Sequence, residues 1–124
     1  MSAEIFDPAT GLWSPTGTLH EARSAHTATP LPDGSVLSAG GQSNDSTAYY
    51  AVNSAEVYDT ASGTWLQGAD LNDGRFGHSA TLLLDGTVLV VSGAGIINAT
   101  SSEYMTTFIN SAERTSKRTS LSPP

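Results

Sequence analysis

The chain has 124 residues, a formal charge of −7, 38% hydrophobic and 14% charged residues, 12 Gly and no Cys. Cysteine absence excludes disulfides and thiolate metal sites, and no run of about 18 apolar residues is present to span a membrane. Residues 1–113 hold twelve acids against Arg23 and Arg75, a net of −10, which repels phosphate backbones and excludes nucleic acid as a partner.

The predicted elements are all β. SAEIFD (2–7) and the Trp13 segment read as two strands joined by a Pro-Ala-Thr-Gly turn. AHTATPL (25–31) is a short β-prone run, and Asp33-Gly34 after it is a two-residue hairpin signal. VLSAGG (36–41) is almost wholly apolar, as a strand covered on both faces must be. A polar loop, 42–53, leads to SAEVYD (54–59), a Thr-Ala-Ser-Gly turn and the Trp65 strand. The order then repeats. GHSATLLL (77–84), Asp85-Gly86 and VLVVSG (88–93) follow, and a longer loop, about 94–110, contains Ile96, Ile97, Tyr104, Met105 and Phe108.

Residues 2–41 align with 54–93 at an offset of 52 without a gap, with eighteen identities over forty positions. A third copy opens at Asn110-Ser111-Ala112-Glu113 and then stops matching. A period near 50 with four strand signals per copy points to propeller blades. The recurring features are Arg-x-x-His, Asp-Gly-x-Val-Leu, Gly-Gly, Ser-Ala-Glu with an aromatic and Asp, and Gly-x-Trp. In these the chain resembles the kelch family over residues 2–113, with Ser92 in place of the first glycine of the second doublet.

The resemblance implies a partial kelch β-propeller of four-stranded antiparallel blades, incomplete and not closed. Residues 1–113 form the repeat region: 2–18 the outer strands of one blade, 24–69 one full blade, and 76–113 most of a further blade. Residues 114–124 lack aromatics and Gly and end in Pro-Pro, the composition of a disordered tail. The loss of motif after Glu113 has the look of a truncated reading frame.

Repetition separates scaffold from site. Residues found in both copies serve the blade: Trp13 and Trp65, Phe6 and Tyr58 as packing aromatics, His26 and His78 as turn-holding hydrogen bonders. Two His without further ligands fall short of a metal set, so no metal or cofactor is expected. Arg23 and Arg75 recur beside acids and read as making an ion pair or backbone bond across blades. They also lie in the loops between the outer strand of one blade and the inner strand of the next. The resemblance puts those loops on one face with the loops between the second and third strands, and makes that face the ligand surface. The latter loops are unique to each copy, and the first has the Tyr, Asn and Asp composition of a recognition surface.

The candidate binding residues are therefore Asn44, Asp45, Tyr49, Tyr50, Arg23 and Arg75, with no catalytic residue. Asn44-Asp45-Ser46 and Asn98-Ala99-Thr100 match the N-glycosylation sequon, and Asp70 to Gly74 reads as a turn. The expected function is a non-catalytic interaction module for a protein or glycan. The alternatives are a fragment of a copper oxidoreductase resembling galactose oxidase, against which the missing Cys counts, and a truncated product with no function of its own. An incomplete propeller is further expected to self-associate or pair with other blades.

Overall fold

The computed structural model describes residues 1–44, 49–97, 105–108 and 112–114. Among these the chain is all β, with antiparallel pairing throughout, no helix and no sheet closed on itself. The first sheet has two strands, β1 (Glu4–Asp7) and β2 (Leu12–Pro15). The second has four: β3 (Thr27–Pro30), β4 (Val36–Ala39), β7 (Ala55–Asp59) and β8 (Thr64–Gln67), in that order. The third has three: β9 (Ser79–Leu82), β10 (Val88–Val91) and β13 (Ala112–Arg114), with β10 in the middle. Two hairpins stand apart, β5 (Gln42–Asn44) with β6 (Tyr49–Ala51), and β11 (Ala94–Ile97) with β12 (Met105–Phe108).

The repeat is kept in the register. Phe6 faces Trp13 as Tyr58 faces Trp65, and Ser38 faces Glu56 as Val90 faces Glu113. The ring pairs also match, with centroids 5.1 Å apart for Phe6–Trp13 and 5.2 Å for Tyr58–Trp65. Turn chemistry sets this register. Asp7 Oδ1 accepts from the Ala9 amide at 2.9 Å and Asp59 Oδ1 from the Ala61 amide at 3.1 Å. Each turn closes on a glycine of positive φ, Gly11 or Gly63, where a side chain would be strained.

The Asp-Gly turns differ from the expected two-residue hairpin. The Leu31 amide donates to the Ser35 carbonyl at 2.8 Å, so the loop holds three residues, Pro32, Asp33 and Gly34. Gly34 has a φ of 88°, the left-handed residue that three-residue loops need. Asp33 Oδ1 accepts from the Ser35 amide and hydroxyl, and Asp85 repeats this with Thr87.

The core lies between the four-stranded and three-stranded sheets. Leu31, Leu37, Ala39, Ala55, Val57, Val88 and Val90 are buried together, with Leu71 and Ala80 packed against them. The edge strands β3 and β9 are neighbours, and His78 shares a hydrogen bond with Thr27 at 2.9 Å between the two sheets. The His78 imidazole is held below its ordinary pKa, first by burial and then by the Arg75 charge, which the nearby Ala39 backbone only partly offsets.

Trp65 behaves as a packing aromatic: half-buried, it donates from Nε1 to the Gly17 carbonyl at 2.9 Å. Trp13 packs on the Phe6 ring but is otherwise 64% exposed. The strand β13 runs through Arg114, so the expected tail boundary at 114 falls one residue early. Residues 115–124 lie outside the described residues.

Candidate functional site

Two buried ion pairs organise the loops that lead into β3 and β9. Arg23, its side chain only 1% exposed, donates from Nη2 to Glu56 Oε2 at 2.9 Å. Its Nη1 donates to the carbonyls of Gly40 and Ser54. Glu56 is fully buried, and its carboxylate also accepts from the His20 and Glu21 amides at 2.7 and 3.1 Å. His20 Nδ1 adds a fourth contact at 2.9 Å. Burial alone would raise the Glu56 carboxyl, but these donors outweigh it and hold it below the usual carboxylate range.

The second copy repeats the device. Arg75 is fully buried and donates from Nη2 to Glu113 Oε2 at 2.6 Å. Glu113 accepts from the Asn72 and Asp73 amides, as Glu56 does from His20 and Glu21. Its carboxyl is likewise pushed up by burial and brought net below the ordinary value by these donors and Arg75. A buried guanidinium is tolerated when its charge is answered, and here a carboxylate answers the charge while backbone carbonyls take up Nη donors.

The unique segments build on this base. Both expected loops form β-ribbons, β5–β6 and β11–β12. Ser24 and Gln42 exchange backbone hydrogen bonds at 2.9 and 2.7 Å, and Phe76 and Ala94 exchange theirs at 2.9 Å. Each ribbon is thereby rooted beside its arginine loop, and β6 packs against β11.

In the first ribbon Asn44 faces Tyr49 and Ser43 faces Tyr50. Because side chains alternate along a strand, Tyr49 and Tyr50 point to opposite sides. Tyr50 donates its hydroxyl to Glu21 Oε2 at 3.0 Å, and Glu21 Oε1 accepts from the Ser54 hydroxyl. Tyr50, Glu21, Ser54, Arg23 and Glu56 are thus one network, whereas Asn44 and Tyr49 are exposed.

Arg23 and Tyr50 belong to the first network and Arg75 to the second, and Asn44 and Tyr49 lie opposite one another, exposed, on β5–β6. Asp45 and the sequon at Asn98 lie outside the described residues. Glu21, Ser54, Glu56 and Glu113 were not singled out from the sequence. For Glu56 and Glu113 the signal was the repeated Ser-Ala-Glu, whose glutamate in these two copies pairs with a buried arginine.

A cavity of about 300 Å³ lies beside the first network, lined by Glu21, Arg23, His26, Ala28, Ser38 and residues 1–3. Arg23 Nε and Ser38 Oγ are buried there without a hydrogen-bond partner. His26 titrates below its ordinary value, from burial and then the Arg23 charge.

Compared with protein-family models and with curated proteins, the chain matches none.

Proposed function

We propose that this chain is the kelch-repeat part of a β-propeller that serves as a non-catalytic interaction module. It binds a protein or glycan ligand on the face built from β5–β6, β11–β12 and the two arginine loops. The blade reading is supported by the β3-β4-β7-β8 order, by its shared register with β1–β2 and β9–β10–β13, and by the adjacency of β3 and β9.

The observation that carries the binding reading is the division of labour around β5–β6. Repeated residues, Arg23, Ser54 and Glu56, are spent on holding the loop base. The residues of the ribbon that recur nowhere else, Asn44 and Tyr49, stand exposed on its outer side. An amphipathic Tyr beside an amide is suited to recognition because it gives large contact area at low entropy cost. Arg23, Arg75 and Tyr50 position this surface and do not contact the ligand.

A glycan array and a displayed peptide library, each probed with the full chain, test this reading. Tyr49→Ala and Asn44→Ala should each weaken any hit about tenfold or more, equivalent to roughly 1.4 kcal/mol. Trp13→Ala should leave it unchanged. Hits indifferent to Tyr49 and Asn44, or no hit in either set, would refute the reading.

A further inference from the structure

The two end sheets are complementary halves of the central one. The β1–β2 hairpin reproduces its outer half, β7–β8, residue for residue in register. The β9–β10 pair reproduces its inner half, β3–β4. Beside β1, where the central sheet has β4, no described strand is paired.

The strand now in third place, β13, is a poor match for β10. Glu113 fits, but the next residue is Arg114, opposite Leu89, where the central sheet has Val57, 2% exposed, opposite Leu37. Arg114 is half-exposed and turns away to Asp85 and Thr87. In the same register β1 would set Ala3 opposite Val91, Glu4 opposite Val90, Ile5 opposite Leu89 and Phe6 opposite Val88.

The first repeat also lacks what the others have. Glu4 is the counterpart of Glu56 and Glu113, yet it is exposed and no ion pair forms to it among the described residues. Ile5, Phe6, Leu12 and Trp13 leave 44, 45, 68 and 64% of their surface open. Unpaired strand edges with apolar faces are templates for another chain.

We propose that copies of this chain associate head to tail by strand exchange. The β1–β2 hairpin of one copy displaces β13 from β10 of the next and completes a four-stranded sheet. Glu4 of the first copy takes the place of Glu113 against Arg75 and the Asn72 and Asp73 amides of the second. The incoming β9–β10 pair lies along β1, on the side of the cavity where Arg23 Nε and Ser38 Oγ are unpartnered. Because the two surfaces differ, the contact is heterologous and either closes into a ring or propagates. The inference uses the repeat register and not the ligand reading, so either can fail alone.

Sedimentation velocity and cysteine cross-linking of the full chain test it. The wild type should show a concentration-dependent rise in mass of about twofold or more. Glu4→Lys should remain monomeric with an unchanged far-ultraviolet spectrum, since Glu4 is exposed in the single chain. The chain has no native Cys, so Ala3→Cys and Val91→Cys variants report the register. Ladder partners of this kind lie within disulfide reach, about 4.4–6.8 Å between Cα atoms. Mixed and oxidised, the two variants should cross-link, and Ala3→Cys with Leu84→Cys should not. A monomeric wild type, assembly unaffected by Glu4→Lys, or equal cross-linking to Leu84→Cys would each overturn the proposal.

Discussion

Replacing Glu56 by Ala should be among the most damaging single changes in the described chain. The carboxylate is fully buried and accepts from Arg23, from two backbone amides and from His20. Its removal strands the Arg23 guanidinium, 1% exposed, and two amide donors. Breaking a buried pair from one side costs about 3–5 kcal/mol, because the remaining charge stays desolvated and unanswered. The whole net stability of an ordinary domain is about 5–15 kcal/mol, so the loss is a large share of it. Glu4 is the built-in control. It occupies the same place in the Ser-Ala-Glu repeat but is exposed, and Glu4→Ala should stay within about 0.5 kcal/mol. Urea unfolding of both variants under dilute conditions, followed by tryptophan fluorescence, gives the two numbers. A cost below about 1 kcal/mol for Glu56→Ala would mean that the pair does not hold the loop. Equal costs at both sites would mean that the motif, not its burial, decides.

Stability should fall on the acid side in two stages. His78 has a lowered folded pKa, so its contribution is complete above its unfolded value near 6.5 and is lost as pH falls through the folded one. Glu56 and Glu113 are also lowered, so theirs is complete above about 4.5 and lost on further acidification. Urea midpoints across this range should decline toward acid, and a flat profile would contradict both. At the glycine doublets, Ser92→Gly should stabilise by about 0.5–1 kcal/mol by relieving a φ of 60°. Gly40→Ser should destabilise, because a Cβ there meets the Arg75 carbonyl and the His78 ring at 2.7 Å; thermal melts of the pair read both signs. Trp65→Ala should cost about 3 kcal/mol, the low end for a half-buried Trp, and Trp13→Ala in dilute solution much less, as urea titration would show.

The sheets were legible because their signals are local and doubled. An apolar run such as VLVV, a Gly-x-Trp and an Asp-Gly turn each declare a strand or its end, and the offset of 52 confirms each against its copy. The length of the Asp-Gly loop was not legible, since whether Leu31 pairs with Ser35 depends on strand twist and not on the dipeptide. The ribbons were hidden for another reason. Gln-Ser-Asn and Tyr-Tyr-Ala have no alternation to announce strands, and the backbone bonds between Ser24 and Gln42 that root this ribbon leave no local sequence signal. The recurring arginines announce ion pairs or backbone bonds across blades, but not their partners: Arg23 pairs with Glu56, 33 residues away, and Arg75 with Glu113, 38 away. That distance in sequence is bridged only once β4 and β10 have placed the glutamate strands. Tyr49 and Tyr50 look alike in the sequence, and only the alternation along β6 sends their side chains to opposite faces.

The central claim is that repeated residues hold the fold and unique ribbon residues make the surface that binds. It is tested most directly by measuring unfolding free energy and ligand binding together in Tyr49→Ala and Glu56→Gln. Tyr49→Ala should lose binding at unchanged stability, while Glu56→Gln should lose stability and keep its ligand affinity in the fraction that remains folded. A Tyr49→Ala variant that unfolds more readily but binds as before would contradict it.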